Sequence, residues 1–312
     1  MQEQKRYDAV IVAGEEAASR RVMRQHKALL KIHGKPFIHY VINALQRVEA
    51  VREIYIVGPE RMLRAALKPC EQNLIGDKQI HFVEQIGNLY ENVWRAFMAS
   101  LPEASENRTR HEDKTLLIVP CDAPLLTAKE LEFFISRCDM QRYDYVIGLT
   151  PEKSLKYFYP AAGRPGIQMS YLHLKEKNYR INNLHMVKPV KVKNRDHINR
   201  MYAHRYQKRL LNILQLGLYV IRTGGFRSYR LLIALQLALK CAEWRFEKLR
   251  RFFCRRAPKR DLERAISRLL NTRFAGLEVP YPGAALDVDN DGDFQALEIM
   301  FDEWRAHLEN MA

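Results

Sequence analysis

Short apolar runs alternate with amphipathic segments through the first half of the chain. The runs 8–13 (DAVIVA), 53–57 (EIYIV), 80–83 (IHFV), 115–119 (TLLIV) and 143–147 (YDYVI) are rich in β-branched residues. Continuous apolar runs of this length fit strands buried on both faces of a parallel sheet. Between them the period changes to that of helices. Phe37, Val41, Ala44, Leu45 and Val48 form one stripe, while Leu131, Phe134, Ile135 and Cys138 form another behind Thr127 and Glu130, which fit a capping box. In GNLYENVWRAF, Gly87 and Asn88 open a helix with Tyr90, Val93, Trp94 and Phe97 at helical spacing. Strands alternating with helices predict an α/β fold with a parallel sheet covered on both sides.

After Gly148 the alternation fades into a loop-rich stretch, and from Asp196 to about Thr272 the sequence is helical and basic. The first pattern then returns, with AALDV (284–288) predicted as a strand and Phe294, Leu297, Phe301 and Trp304 on one face of a final helix. This divides the chain into an α/β domain over 1–195 and 276–312 and a basic helical insertion over 196–275.

Composition adds boundaries to that picture. At 312 residues, 47% of them hydrophobic and 28% charged, the chain is large enough for one sizeable core and is not a disordered or fibrous sequence. Its N-terminus is polar and the apolar stretch behind it is too short for a secretory core, so a cytoplasmic location is expected. Five scattered cysteines without a CxxC pair argue against a disulfide framework and against a cysteine zinc site. A formal charge of +15 calls for anionic partners, and much of it lies between Arg195 and Arg273.

In an open α/β sheet, ligands bind at the carboxyl ends of the strands. Three such loops carry chemistry. The first, from Ala13 to Pro36, is long and basic, with Arg20, Arg21, Arg24 and Lys27. In the second, VPCDAPLLT, Asp122 follows directly on an apolar strand, where a carboxylate is costly unless it faces a cleft or a cation. In the third, LDVDNDGDFQALE, Asp287, Asp289, Asp291 and Gly292 match the start of a calcium-binding EF-hand loop and Glu298 falls at its last position. An EF-hand joins two helices, however, and this segment follows a predicted strand. No Ser-His-Asp or Cys-His grouping stands out.

The order of these parts, a strand, an Ala-Gly loop with Arg and Lys, then KALLKIHGKPFIHYVINAL, VPCDAPLLT and LDVDNDGDF, resembles the MobA-like branch of the GT-A-type nucleotidyltransferases. The resemblance covers roughly 7–195 and 276–305. It implies a Rossmann-like, mostly parallel sheet covered by helices, and transfer of a nucleoside monophosphate from a nucleoside triphosphate, with CTP and GTP favoured, to a phosphorylated acceptor such as a sugar or polyol phosphate or a lipid precursor. It assigns triphosphate binding and catalysis to Arg20 and Lys27, which stand seven residues apart. Ala13, Gly14, Ser19, Gly87 and Asn88 would bind the nucleotide, Asp122 and Asp289 would hold Mg²⁺, and Arg164, Arg180 and Asn183 would face the acceptor. The first loop departs from the family's glycine-rich opening, because Gly14 is followed by Glu15 and Glu16. Two other readings fit parts of the pattern: a non-catalytic nucleotide-binding or membrane-associated scaffold, and a GT-A glycosyltransferase using a nucleotide sugar.

Within the insertion, the apolar runs 210–221 and 229–242 are 12 and 14 residues long, short of the roughly 20 needed to span a bilayer, and could pair around Gly224 and Gly225 as a helical hairpin. In EWRFEKLRRFFCRRAPKR, Phe246, Leu249 and Phe253 lie near one face with Arg245, Lys248, Arg251 and Arg255 around it. Residues 205–260 therefore suit a platform on an anionic membrane surface, peripheral on its inner face. The same residues would also suit a helical core against the catalytic domain or a second subunit of a homo-oligomer. Nucleic acid is disfavoured because no reader motif accompanies the charge.

Overall fold

A computed structural model of the chain describes residues 5–14, 21–102, 111–194 and 229–311. The apolar runs become the strands of one twisted sheet: β1 (Tyr7–Val12), β4 (Val51–Gly58), β5 (Ile80–Glu84), β6 (Leu116–Pro120) and β7 (Tyr145–Pro151). A two-residue pair, β2 (Lys31–Ile32) and β3 (Lys35–Pro36), forms a separate small hairpin, its turn made by His33 and Gly34 at φ 50° and 73°. The remaining strands are β8 (Leu172–His173), β9 (Asn178–Val187) and β10 (Phe274–Glu278).

The order across the sheet is β10-β7-β9-β6-β1-β4-β5, with β8 beside β9. The pairs β1·β4, β1·β6, β4·β5 and β10·β7 are parallel, and β9 runs antiparallel to β6, β7 and β8. The fold is therefore Rossmann-like and mostly parallel, as the alternating pattern implied, with one reversed strand inserted between β6 and β7.

Helices cover both faces. α1 (Phe37–Gln46), α2 (Glu60–Leu67) and α4 (Ala128–Arg137) pack over Ala9 and Ile11 of β1, whereas α3 (Leu89–Ala99) covers the face shown by Val10. Alternation along β1 assigns its side chains to opposite layers. All five stripe residues of α1 and its following turn are buried. After β7 come the four-residue α5 (Glu152–Leu155) and then, past β9, the helices α6 (229–243), α7 (Glu247–Cys254) and α8 (Lys259–Leu270). α6 packs on the β7–β9 region through Leu231 and Ala234, and α8 joins α3's layer through Leu270. α9 (Asp291–Glu309) buries Phe294, Leu297, Phe301 and Trp304 against Leu30, Ile32 and Phe37.

Four expectations need correcting. The run 284–288 is buried but forms no strand. It contains the end of a 3-10 turn (Gly283–Ala285), and the chain after it is held to the Asp122 loop by the Val288 amide donating to the Asp122 carbonyl rather than paired in the sheet. The edge strand is instead β10, whose FAGLE is too short to register against the basic helix before it. The loop-rich stretch contains β9. Its period-2 pattern is broken at Asn182 and Asn183, where Asn183 takes φ 58° and the register against β7 shifts, so alternation changes phase in mid-strand. Finally, Thr127 caps α4 by accepting from the Glu130 amide at 3.2 Å, but the Glu130 carboxylate completes no capping box and accepts instead from the Ala284 amide at 3.0 Å. The run 210–221, and with it the expected hairpin, lies outside the described residues. The cysteines among them are free.

Candidate functional site

The parallel strands bring the ends of β1, β6 and β10 to one edge, and three chain segments meet there. Each is fixed by its own local chemistry. In the loop after β1, Val22 is fully buried, Met23 and Arg24 turn the chain at φ 50° and 60°, and the Met23 amide donates to Asp291 Oδ1 at 2.7 Å. His26 then caps a 3-10 turn (Lys27–Leu29), its Nδ1 accepting from the Ala28 amide. This anchoring presents Lys27 at the sheet edge.

The Lys27 ammonium donates to Asp122 Oδ2 at 3.0 Å and to Asp289 Oδ1 at 2.8 Å. Burial works against the charge on Lys27, but the two carboxylates outweigh it and raise its pKa, so it stays an ammonium at any ordinary pH. Asp122 follows β6, and its carbonyl accepts from the Val288 amide, which ties the second loop to the third. Asp287 and Asp289 project from that third loop. Asp287 accepts from Arg180 Nη2 of β9 at 2.7 Å, and Arg180 also stands 4.0 Å from Asp289. Burial pushes the Asp287 carboxyl up to about 6, with Arg180 pulling it down and Asp122 and Asp289 pushing it up.

Carboxylate oxygens of Asp122, Asp287 and Asp289 lie within 4.8 Å of one another. Such a hard oxygen donor set fits Mg²⁺. Asp287 is the member that sequence reasoning left out. Its alternation with Asp289 was visible, but nothing in the sequence distinguished it from Asp291 and Asp293. The structure separates them: Asp291 holds the Met23 amide, and Asp293 accepts from Asn290 Nδ2 and the Asp289 amide at the N-terminus of α9. Residues from Asp291 onward are helical and Glu298 is exposed on α9, so the twelve-residue calcium loop does not form.

The other candidates fall in three places. Ala13 is buried at the end of β1, and Gly14 lies so close to Asn92 and Gln85 that a Cβ there would stand 2.9 Å from Asn92 Nδ2. Asn92 is buried, accepts from the Ile86 amide at 3.1 Å and donates to the Gly87 carbonyl at 3.3 Å, so it fixes the loop before α3 beside Gly14. Sequence reading missed it as one more polar position on α3. The Asn88 side chain caps α3, accepting from the Glu91 amide while Glu91 returns to the Asn88 amide. Asn183 takes the left-handed position in the β9 bulge. Arg164 is tied elsewhere, to Glu303 of α9 at 2.6 Å and over the Tyr157 ring at 4.3 Å. Arg20 and Ser19, with Glu15 and Glu16, lie outside the described residues.

The cationic side chains and clustered carboxylates thus gather at the carboxyl edge of a Rossmann-like sheet, where open α/β proteins bind their ligands. The chain belongs to the MobA-like NTP transferase family, whose domain matches residues 9–214. Among solved structures, a hypothetical transferase from Thermus thermophilus is 21% identical, covering 93% of this chain and 99% of its own, with a TM-score of 0.62. A 4-diphosphocytidyl-2C-methyl-D-erythritol synthase from Anaerococcus prevotii is 12% identical over 96% of this chain and 100% of its own, with a TM-score of 0.47. A CMP:2-keto-3-deoxy-manno-octonic acid synthetase complexed with CTP is 11% identical over 96% and 99%, also at 0.47. No curated protein sequence matches the chain significantly. Among the described residues no helix is long and apolar enough to cross a membrane.

Proposed function

We propose that this protein is a nucleotidyltransferase that moves a nucleoside monophosphate from a nucleoside triphosphate to a phosphorylated acceptor, a sugar or polyol phosphate or a lipid precursor. The observation that carries the reading is the Lys27 ammonium held between Asp122 and Asp289, with Asp287 and Arg180 beside them. A phosphate oxygen of the acceptor attacks the α-phosphorus of the nucleotide in line. The bond from that phosphorus to the bridging oxygen breaks, and pyrophosphate leaves. Lys27 and Arg20 meet the negative charge of the triphosphate, and Arg180 orients the acceptor phosphate by a charge-assisted hydrogen bond. Asp122 and Asp289, with Asp287, would hold Mg²⁺, which supplies charge neutralisation across the phosphates. Gly14, with no side chain, lets the backbone approach the nucleotide beside Gln85 and Asn92. No protein nucleophile takes part. The catalytic unit in this reading is 1–195 with 276–312, and 196–275 is carried as an insertion.

Pyrophosphate release measured with each of the four nucleoside triphosphates, Mg²⁺ and a panel of phosphorylated acceptors tests the proposal, CTP and GTP first. We expect one nucleotide and one acceptor class to give turnover that falls by roughly a hundredfold or more in Lys27→Ala and Asp122→Ala. Nucleotide binding without pyrophosphate from any acceptor would favour the scaffold reading, and turnover of a nucleotide sugar instead would favour a glycosyltransferase.

A further inference from the structure

α6 and α7 leave an apolar face that the fold does not use. Their inner sides are already committed: Leu231, Ala234, Ala238 and Cys241 of α6 and Cys254 at the end of α7 are buried. On the outer side Trp244, Phe246, Leu249 and Phe252 are each about half exposed, between 48 and 63%. On α6, Ile233 and Leu237 are exposed as well. The sequence pattern had grouped Phe253 with Phe246 and Leu249, but it is Phe252 that faces out, with the Arg256 guanidinium 3.6 Å above its ring.

Charge decides what could cover such a face. Residues 229–257 contain eight basic and two acidic side chains. Among the described residues, Arg245, Lys248, Arg251 and Arg255 form no ion pair. Beside α7, between it and the β8–β9 hairpin, lies a cleft of about 290 Å³ lined by Lys175, Arg251 and Arg255, with Glu176 and with Lys177, which pairs with Glu278. A second copy of this chain would bring like charges together around the apolar contact. An anionic lipid surface meets both demands at once, because aromatic and aliphatic side chains enter the headgroup boundary while Arg and Lys stay with the phosphates. Among the described residues neither helix is long and apolar enough to span, so the contact proposed lies on the bilayer.

We infer that the face formed by Trp244, Phe246, Leu249 and Phe252 docks this protein peripherally on an anionic phospholipid bilayer, with the adjacent basic cleft taking headgroup phosphates. The inference is independent of the nucleotide chemistry proposed above.

Co-sedimentation of the full chain with vesicles tests it, using phosphatidylcholine alone and phosphatidylcholine with about one third phosphatidylglycerol. The full chain should pellet with the anionic vesicles at low salt, far less with the neutral ones, and the difference should shrink as ionic strength rises. Two variants probe the two parts of the face: W244S/F246S/L249S/F252S removes the apolar anchors, and K248E/R251E/R255E reverses the charge. Both alter exposed positions, so thermal melting by circular dichroism should match the parent. Each should lower partitioning onto anionic vesicles by roughly a hundredfold or more. Trp244 is the exposed tryptophan, so its emission should shift to the blue on binding, a shift that W244F abolishes. No binding to anionic vesicles, or equal binding by parent and folded variants, would overturn the inference. So would a concentration-dependent oligomer that the serine variant dissociates, in the absence of vesicle binding.

Discussion

Glu130 is fully buried, and burial raises its carboxyl pKa well above the usual value despite the Gly283 and Ala284 amides that favour the charged form. One oxygen accepts from Ala284 and the other has no partner among the described residues, so the side chain joins the first turn of α4 to the segment leading to Asp287 as a neutral acid. A raised folded-state pKa contributes stability that is full below about 4.5 and is lost as pH rises toward the folded value. Denaturant unfolding at pH 5 and pH 8 should show wild type losing stability with rising pH and Glu130→Gln losing less. Glu130→Ala should cost about 2–3 kcal/mol at both, since it leaves buried amides unmet and opens a cavity. The sequence displayed this glutamate in a capping position. Its actual use depends on a chain segment 154 residues away, which local patterning cannot reveal. Asp122 and Asp289 were legible because each follows an apolar run, where an unmatched charge needs a reason, and Lys27 because it lies in a long basic loop seven residues from Arg20. Asp287 and Asn92 were not, since their importance arises from what faces them across the fold.

At the scale of the element, β9 is where sequence and structure diverge most. The side chain of Asn182 is buried in its bulge, with Oδ1 accepting from the Leu184 amide, and it lies against Gly148 of β7. A Cβ on Gly148 would stand 1.9 Å from that oxygen. Gly148→Ala should therefore cost several kcal/mol, on the order of an overpacked core position with a lost buried hydrogen bond, readable as a lower denaturation midpoint at unchanged slope. Further along β9, burial lowers the His185 pKa to about 4, and its Nδ1 lies 2.9 Å from the Tyr145 hydroxyl. A depressed folded-state pKa means that the contribution is full above about 6.5 and is lost as pH falls toward 4. Melting temperature against pH should fall more steeply between those values for wild type than for His185→Gln. Strands β1, β4, β5 and β6 were readable from uninterrupted β-branched runs. β9 was not, because a bulge that inverts the pattern erases the very period by which a strand is recognised.

Across the whole molecule, three segments far apart in sequence are fastened at one point by a single ammonium, with Lys27 bonded to side chains 95 and 262 positions away. The C-terminal helix reinforces the same junction by packing Phe294 and Trp304 against the layer that holds the first loop. The final forty residues are thus packed into the carboxyl edge of the sheet rather than appended to it. In the proposed function Lys27 would act as a placeholder. Because it already bonds two of the three carboxylates, a bare divalent ion would have to evict an ammonium that has nowhere better to go, whereas a metal arriving with a triphosphate would offer the lysine a new partner as it takes the old ones. Ligand entry would then be an exchange of counter-ions rather than an addition. Titration calorimetry should accordingly find Mg²⁺ alone binding weakly and nucleotide with Mg²⁺ binding far more tightly, and Lys27→Met should reverse the first result by leaving the carboxylates open to the free ion.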